Sequence, residues 1–214
     1  MKVIKTIKWK VSKFLMTGWK NANSSSGLLI TGILSLDCNF LHVHLRRLTW
    51  QNLRVLNTMS NSFPLECLGE IKGFELPHEL LSQPQSTKRD ITEAIYEMVI
   101  QAFSIFYQYT SKSSLEERHL NQIQVGLDRK LQYLENCMEE EKEKETLEEK
   151  EDTIIQLGAM VLHPSNLEVK RYFKMINNFL KDKKYSHCAW EIVLVEMRRY
   201  FYYLQKFTTY LKKK

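Results

Sequence analysis

The run EVKRYFKMINNFLKDKKYSHCAWE, residues 168–191, decides the fold. Val169, Tyr172, Phe173, Ile176, Phe179 and Leu180 recur in threes and fours, the spacing that gathers side chains on one face of a helix. Ser165 and Glu168, three apart at the head of the run, form the pattern of a capping box, so His163-Pro164-Ser165 predicts where this helix begins. A further helix is expected from Ser186 through Trp190, Val193, Met197, Phe201 and Leu204 toward Phe207. It ends in Lys212-Lys213-Lys214, cations that suit the negative end of a helix dipole.

Upstream the same period recurs. From Asp90, the residues Ile91, Ala94, Ile95, Met98, Val99, Ala102, Phe103 and Phe106 make the clearest amphipathic helix in the chain. After residues 110–114, Leu120, Ile123, Leu127, Leu131 and Leu134 predict a third helix ending near Cys137. Gly126 lies inside it, at a cost of about 1 kcal/mol relative to alanine. The first helix runs from about Asp37, its N-cap, to Asn57, with Leu41, Leu45, Leu48 and Val55 on one face. Between Thr58 and Ser86 no helical period survives, and Pro64, Gly69, Gly73, Pro77 and Pro84 mark a long connection that Cys67 can pin. Five amphipathic helices imply an all-α bundle, and a 29-residue first connection is long enough to cross its height between parallel neighbours.

Composition excludes several classes. Over 214 residues one core is expected, and 43% hydrophobic residues with seven glycines and four prolines fit neither a disordered nor a collagen-like chain. The net charge of +6 comes from Lys2, Lys5, Lys8, Lys10, Lys13 and Lys20, because residues 1–35 carry no acid and the remainder is neutral. That leader closes with the short apolar run from Gly27 to Leu34 and the small residue Ser35, the layout of a secretory signal peptide. The expected division is therefore a signal peptide over 1–35 and a helical domain over 36–214. The apolar run of the leader is far short of the roughly 20 residues of a membrane span and no later stretch reaches that length without charges, so membrane insertion is not expected. Residues 139–152 hold nine acids and three lysines and read as a solvated extension or mobile loop.

The four cysteines, Cys38, Cys67, Cys137 and Cys188, make two disulfides in an exported chain, and three pairings are open from sequence. No Cys-x-x-Cys occurs, which argues against zinc and thiol redox chemistry. Glu75/His78 and Glu116/His119 have the Glu-x-x-His spacing of di-iron bundles, but Pro77 keeps the first pair off a common helical face. His42 and His44 fall on nearly opposite sides of a helix. No nucleophile elbow and no phosphate-binding glycine loop is present. Catalysis, a metal and a cofactor are not expected. Residues 168–214 carry twelve Lys or Arg against four acids, which leaves open binding to heparan sulfate; nucleic acid is not expected. Asn23-Ser24-Ser25 is the only N-glycosylation sequon and lies in the leader.

Tyr172-Phe173, then Phe179-Leu180, then Cys188-Ala189-Trp190 resemble the signature of the type I interferons. Cys67-Leu68 followed by Phe74 and Pro77 is similar to that family's first long loop, and residues 36–54 with Ser60 to Pro64 resemble one of its branches in particular. The resemblance spans residues 36–210 and is weakest in the acidic segment. It implies a five-helix cytokine bundle with a long first crossover loop and two disulfides, Cys38 to Cys137 and Cys67 to Cys188. It further implies a secreted, extracellular monomer that bridges the two chains of the interferon alpha/beta receptor, whose Janus kinases phosphorylate STAT factors and switch on antiviral genes.

The family's receptor-binding positions carry over residue by residue. For the high-affinity chain they imply Leu68, Glu191, Val195, Arg198 and Arg199; for the low-affinity chain, Lys170 and Arg171. Two family arginines are missing: the loop position three after Leu68 is Ile71, and the helix position six after Cys188 is Leu194. Met175 also departs from the signature. Arginines at an interface centre commonly contribute several kcal/mol, so weaker receptor binding than in the strongest family members is expected.

Overall fold

The structure is a computed structural model and describes residues 38–59, 63–76, 87–109, 114–148 and 164–212. The expected leader 1–35, the cap Asp37, the sequon Asn23 and residues 149–152 of the acidic segment lie outside them. Five α-helices are present among the described residues, with no strand: α1 (Leu41–Met59), α2 (Lys88–Gln108), α3 (Ser114–Glu148), α4 (Pro164–Asp182) and α5 (His187–Phe207). Short 3-10 turns stand at Cys38–Phe40, Leu65–Glu70 and Thr208–Lys212. No helix is long and apolar enough to cross a membrane, again among the described residues.

Local sequence explains the helix ends. Thr87 caps α2: its hydroxyl accepts from the Asp90 amide while the Asp90 carboxylate accepts from the Thr87 amide. Asp90 thus closes a capping box from inside the first turn rather than starting the helix. Ser186 caps α5 by accepting from the Ala189 amide. α4 starts at Pro164, so Ser165 lies inside the first turn instead of capping it; proline suits that first position, where its missing N–H has no helical partner to lose. Between α4 and α5 the chain turns through Lys184 and Tyr185 at φ of 49° and 55°. The Tyr185 amide there returns to the Leu180 carbonyl at 2.8 Å, closing the end of α4.

The third helix ends at Glu148 rather than near Cys137, and over residues 139–148 the acidic segment is an extension of it and not a loop. α3 continues unbroken through residues 139–148, because glutamate and lysine are good helix formers and solvated charge does not oppose the helix. Lys88 at the start of α2 reaches Glu141 at 3.5 Å.

The core gathers most of the predicted apolar stripes, with Leu53, Leu56 and Tyr200 added and with Val55, Leu120 and Leu131 only half-buried. Leu41, Leu45, Leu53 and Leu56 of α1 meet Ile95, Met98 and Phe106 of α2, Ile123, Leu127 and Leu134 of α3, and Tyr172, Phe173 and Tyr200 of the last two helices, all buried. Where α1 packs on α3, a Cβ at Gly126 would overlap the amide of buried Asn52, which itself donates to the Ile123 carbonyl at 3.3 Å. The glycine is therefore a packing requirement. Two disulfides tie the bundle, Cys38 to Cys137 at the start of α1 and Cys67 to Cys188 between the first loop and α5.

Candidate functional site: two opposed helical faces

The first face begins with the turn Leu65–Glu70. A 3-10 turn eclipses residues three apart, so Leu65 and Leu68 fall on one edge, and Ile71 continues the spacing. All three are exposed, at 80%, 51% and 61%. Between them Cys67 points inward, fully buried in its bond to Cys188. The bond fastens the turn to the N-terminal end of α5. Below it the loop docks: Phe74 is buried edge-on against Phe179, and Glu70 pairs with Lys183 at 3.0 Å.

Arg199 completes this docking from the helix side. Its Nη2 donates to the Phe74 carbonyl and to Glu196 Oε1, the latter at 2.6 Å. The same carboxylate oxygen accepts from the Tyr172 hydroxyl at 2.5 Å, joining α4, α5 and the loop in one network. Burial, then the charge and bond of Glu196, push the Tyr172 phenol far above its ordinary value, so it remains a donor. Partial burial works against the Arg199 charge, but its bond to Glu196 and that carboxylate's charge outweigh it and raise the guanidinium above its ordinary value.

The expected residues of this face therefore separate. Leu68 on the turn and Val195 on α5 are exposed apolar side chains. Arg199 is half-exposed but already bonded within the fold. Glu191 is largely covered: it stands 3.8 Å from His187 and, after burial and Glu116, is the further influence that pushes the Tyr109 phenol up to about 12. Arg198 is half-buried. Leu194, where the family has an arginine, is buried in the core, so this chain offers no cation at that position.

The second face lies on α2, α3 and α4. Lys170 is partly exposed and pairs with Glu97 of α2 at 3.6 Å, while Arg171 is exposed. Lys174 and Met175 extend the exposed stripe along α4. Tyr96 of α2 donates to Glu135 of α3 at 2.7 Å and fixes the neighbouring helix.

Sequence reasoning missed a group on the first face. Trp50 of α1 and Tyr202 of α5 stand edge to face with ring centroids 6.2 Å apart, and both rings are about half in solvent, at 46% and 47%. The signal was available: Trp50 lies two residues past Leu48, and Val43 two past Leu41, nearly opposite the buried stripe on a helical projection.

Comparison with known proteins places this geometry. The family model for the interferon alpha/beta domain matches residues 41–211. Interferon kappa of Homo sapiens is 57% identical over 190 residues, covering 88% of this chain and 91% of that protein. Interferon kappa of Mus musculus is 36% identical over 186 residues, 86% of this chain and 87% of its own. Interferon beta of Tachyglossus aculeatus aculeatus is 32% identical over 164 residues, 77% of this chain and 81% of its own. Among solved structures, zebrafish interferon 2 superposes with a TM-score of 0.52 at 21% identity, over 73% of this chain and 94% of that one, a likeness of fold.

Proposed function

The chain belongs to the type I interferon family, a family of cytokines and not of enzymes, and from that premise we propose that it is secreted and bridges the two chains of the interferon alpha/beta receptor. The first face, with Leu68 and Val195, engages the high-affinity chain; the second, with Lys170 and Arg171, engages the low-affinity chain. Juxtaposed receptor chains then activate their Janus kinases and STAT factors. The observation that carries this reading is the turn held by the Cys67–Cys188 bond, which keeps Leu68 in solvent beside α5. A rigid apolar side chain on a disulfide-anchored edge loses little freedom on binding, which favours affinity.

The test is STAT phosphorylation in cells given oxidised protein spanning residues 36–214, beside matched cells lacking the low-affinity chain. A response in the first cells alone is expected; no response at micromolar concentration rejects the reading. Export requires cleavage near Ser35, so the N-terminus of secreted material falls close to Leu36, and the mature chain carries no N-glycan at Asn23. An Asn-linked sugar on secreted protein overturns that boundary.

A second reading, retention on heparan sulfate, finds support in α1 rather than in the last helices. Several C-terminal cations are engaged in the fold, Lys170 with Glu97, Lys183 with Glu70 and Arg199 with Glu196. α1 carries Arg46, Arg47 and Arg54 without a single acid, and Arg54 shares a groove with Arg129 of α3, lined by Gln51, Asn52 and Gln122. A heparin column would separate the two locations: Arg54→Ala with Arg129→Ala should lower the eluting salt concentration more than Lys183→Ala does.

A further inference from the structure

We propose that Trp50 and Tyr202 form the centre of contact with the high-affinity receptor chain, an aromatic core that takes the place of the missing arginines. The proposal rests on the receptor reading above and adds to it which side chains dominate.

Trp50 packs against Tyr202, and Arg46 lies beside Gln205. α1 and α5 therefore run antiparallel at this contact. On α1, Val43 is seven residues before Trp50; on α5, Val195 is seven before Tyr202. A separation of seven keeps each pair on one helix face, and all four side chains are exposed. Antiparallel packing sets the valines at opposite ends of a strip whose middle is the aromatic pair. Toward the N-terminal end of α5 the strip approaches the apolar edge of Leu65, Leu68 and Ile71, held there by the Cys67–Cys188 bond.

The polar edge of the tryptophan is already satisfied. With the Gln205 amide turned to satisfy both of its atoms, its oxygen accepts from Trp50 Nε1 at 2.8 Å and from Arg46 Nε at 3.2 Å, and its nitrogen donates to the Arg46 carbonyl at 3.3 Å. Gln205 is itself buried. Covering the indole thus strands no donor and requires little side-chain ordering, the conditions under which a tryptophan or tyrosine dominates an interface. The cations Arg46, Arg47 and Lys206 are exposed on the same two helices. They suit a partner that offers an apolar surface within an acidic rim.

The same residues account for the absent arginines. Leu194 is buried and Ile71 is an exposed apolar side chain, so neither restores a cation. With neither arginine restored, apolar and aromatic area makes up the centre of this face.

The experiment is surface plasmon resonance of the folded 36–214 protein over the immobilised ectodomain of each receptor chain. Trp50→Ala, Tyr202→Ala and Trp50→Phe are compared with Leu68→Ala, and thermal unfolding is recorded for each. Trp50→Ala and Tyr202→Ala should each weaken the high-affinity chain at least tenfold and leave the low-affinity chain within twofold. Trp50→Phe should recover most of the loss. Tyr202→Ala decides the matter, because its half-exposed ring can be removed with the unfolding midpoint preserved. If both alanine variants bind the high-affinity chain within twofold of the parent while Leu68→Ala loses binding, the aromatic centre is wrong and the receptor reading stands. If the parent binds neither ectodomain, that reading fails and takes the proposal with it. A parent that sediments as a dimer, becomes monomeric on Trp50→Ala and keeps its receptor affinity assigns the strip to a second copy and overturns the proposal.

Discussion

The two faces of this bundle treat the same chemistry in opposite ways. Around α1, α5 and the first loop, Arg199 is engaged by a loop carbonyl, and the exposed strip between the cations of α1 and α5 is valine, leucine and aromatic rings. On α4 the basic side chains stay outside: Lys170 meets Glu97 at the surface and Arg171 stands in water. A cation in the sequence is therefore not yet a cation offered to a partner. On the proposed reading the first face draws on shape and apolar area, which set affinity; the second keeps charge, which chiefly sets encounter rate and salt dependence.

Breaking the Cys67–Cys188 bond tests this contrast most severely. The two disulfides span 99 and 121 residues, so the chain-entropy model gives each about 4–5 kcal/mol of stability. Cys38→Ala with Cys137→Ala and Cys67→Ala with Cys188→Ala should accordingly lower the midpoint of denaturant unfolding by similar amounts. Only the second pair frees the Leu68 turn from α5. Its affinity for the high-affinity receptor chain should fall well below that of the first pair, with both measured at a temperature where each is folded. Equal affinities would mean that the turn keeps its place without its staple.

Lys130 sharpens the comparison from inside. Unlike Lys170, it is fully buried, with its ammonium 4.7 Å from the Phe201 ring centroid and no hydrogen-bond partner among the described residues. Burial drives its pKa down to about 7. The unfolded chain holds that proton up to about pH 10, so between pH 7 and 9 it binds more protons than the native state. Stability should then rise with pH, by about 1 kcal/mol per unit, and flatten below pH 7. Lys130→Met should remove the slope and stabilise the protein at neutral pH by about 1–3 kcal/mol, the cost of a buried polar group without a hydrogen bond. Denaturant titrations of both proteins across that range decide it.

Where α1 of the first face meets α3 of the second, Gly126 sets their separation. Alanine there gains about 1 kcal/mol of helix propensity, but its methyl displaces the Asn52 amide and breaks the bond to the Ile123 carbonyl. A net loss of about 1 kcal/mol is expected. Adding Asn52→Ala, which empties the space the methyl needs, should make the two changes non-additive. A Gly126→Ala protein more stable than its parent would show that the helices part without cost.

What could be read in advance follows from where the information resides. The stripes Ile91 to Phe106 and Val169 to Leu180 are periodic and local, so the helices, the bundle class and the buried faces were legible. The family signature supplied the residues of each face, but not their engagement. Arg199 binds the Phe74 carbonyl 125 positions away, and no local pattern encodes a contact that only the folded loop creates. Gly126 looked like a weak point of α3 for the same reason, since its cause sits on α1. The acidic stretch misled differently: charge signalled solvent correctly, yet solvent exposure is compatible with a helix when the residues are glutamate and lysine.

Lys170→Ala carries the smallest expected effect and the cleanest separation of the faces. Its pair with Glu97 is partly exposed, and such pairs contribute less than about 1 kcal/mol, so the unfolding midpoint should scarcely move. Removing the cation also leaves Glu97 free to repel an acidic partner, whereas Lys170→Glu adds a second repulsion. If the second face works by charge, both changes should slow association with the low-affinity receptor chain, the glutamate more, and the difference should shrink as salt rises. High-affinity-chain binding should stay within twofold of the parent. A loss confined to the dissociation rate and insensitive to salt would instead place Lys170 in close packed contact, and the distinction between an apolar face and a charged one would no longer hold.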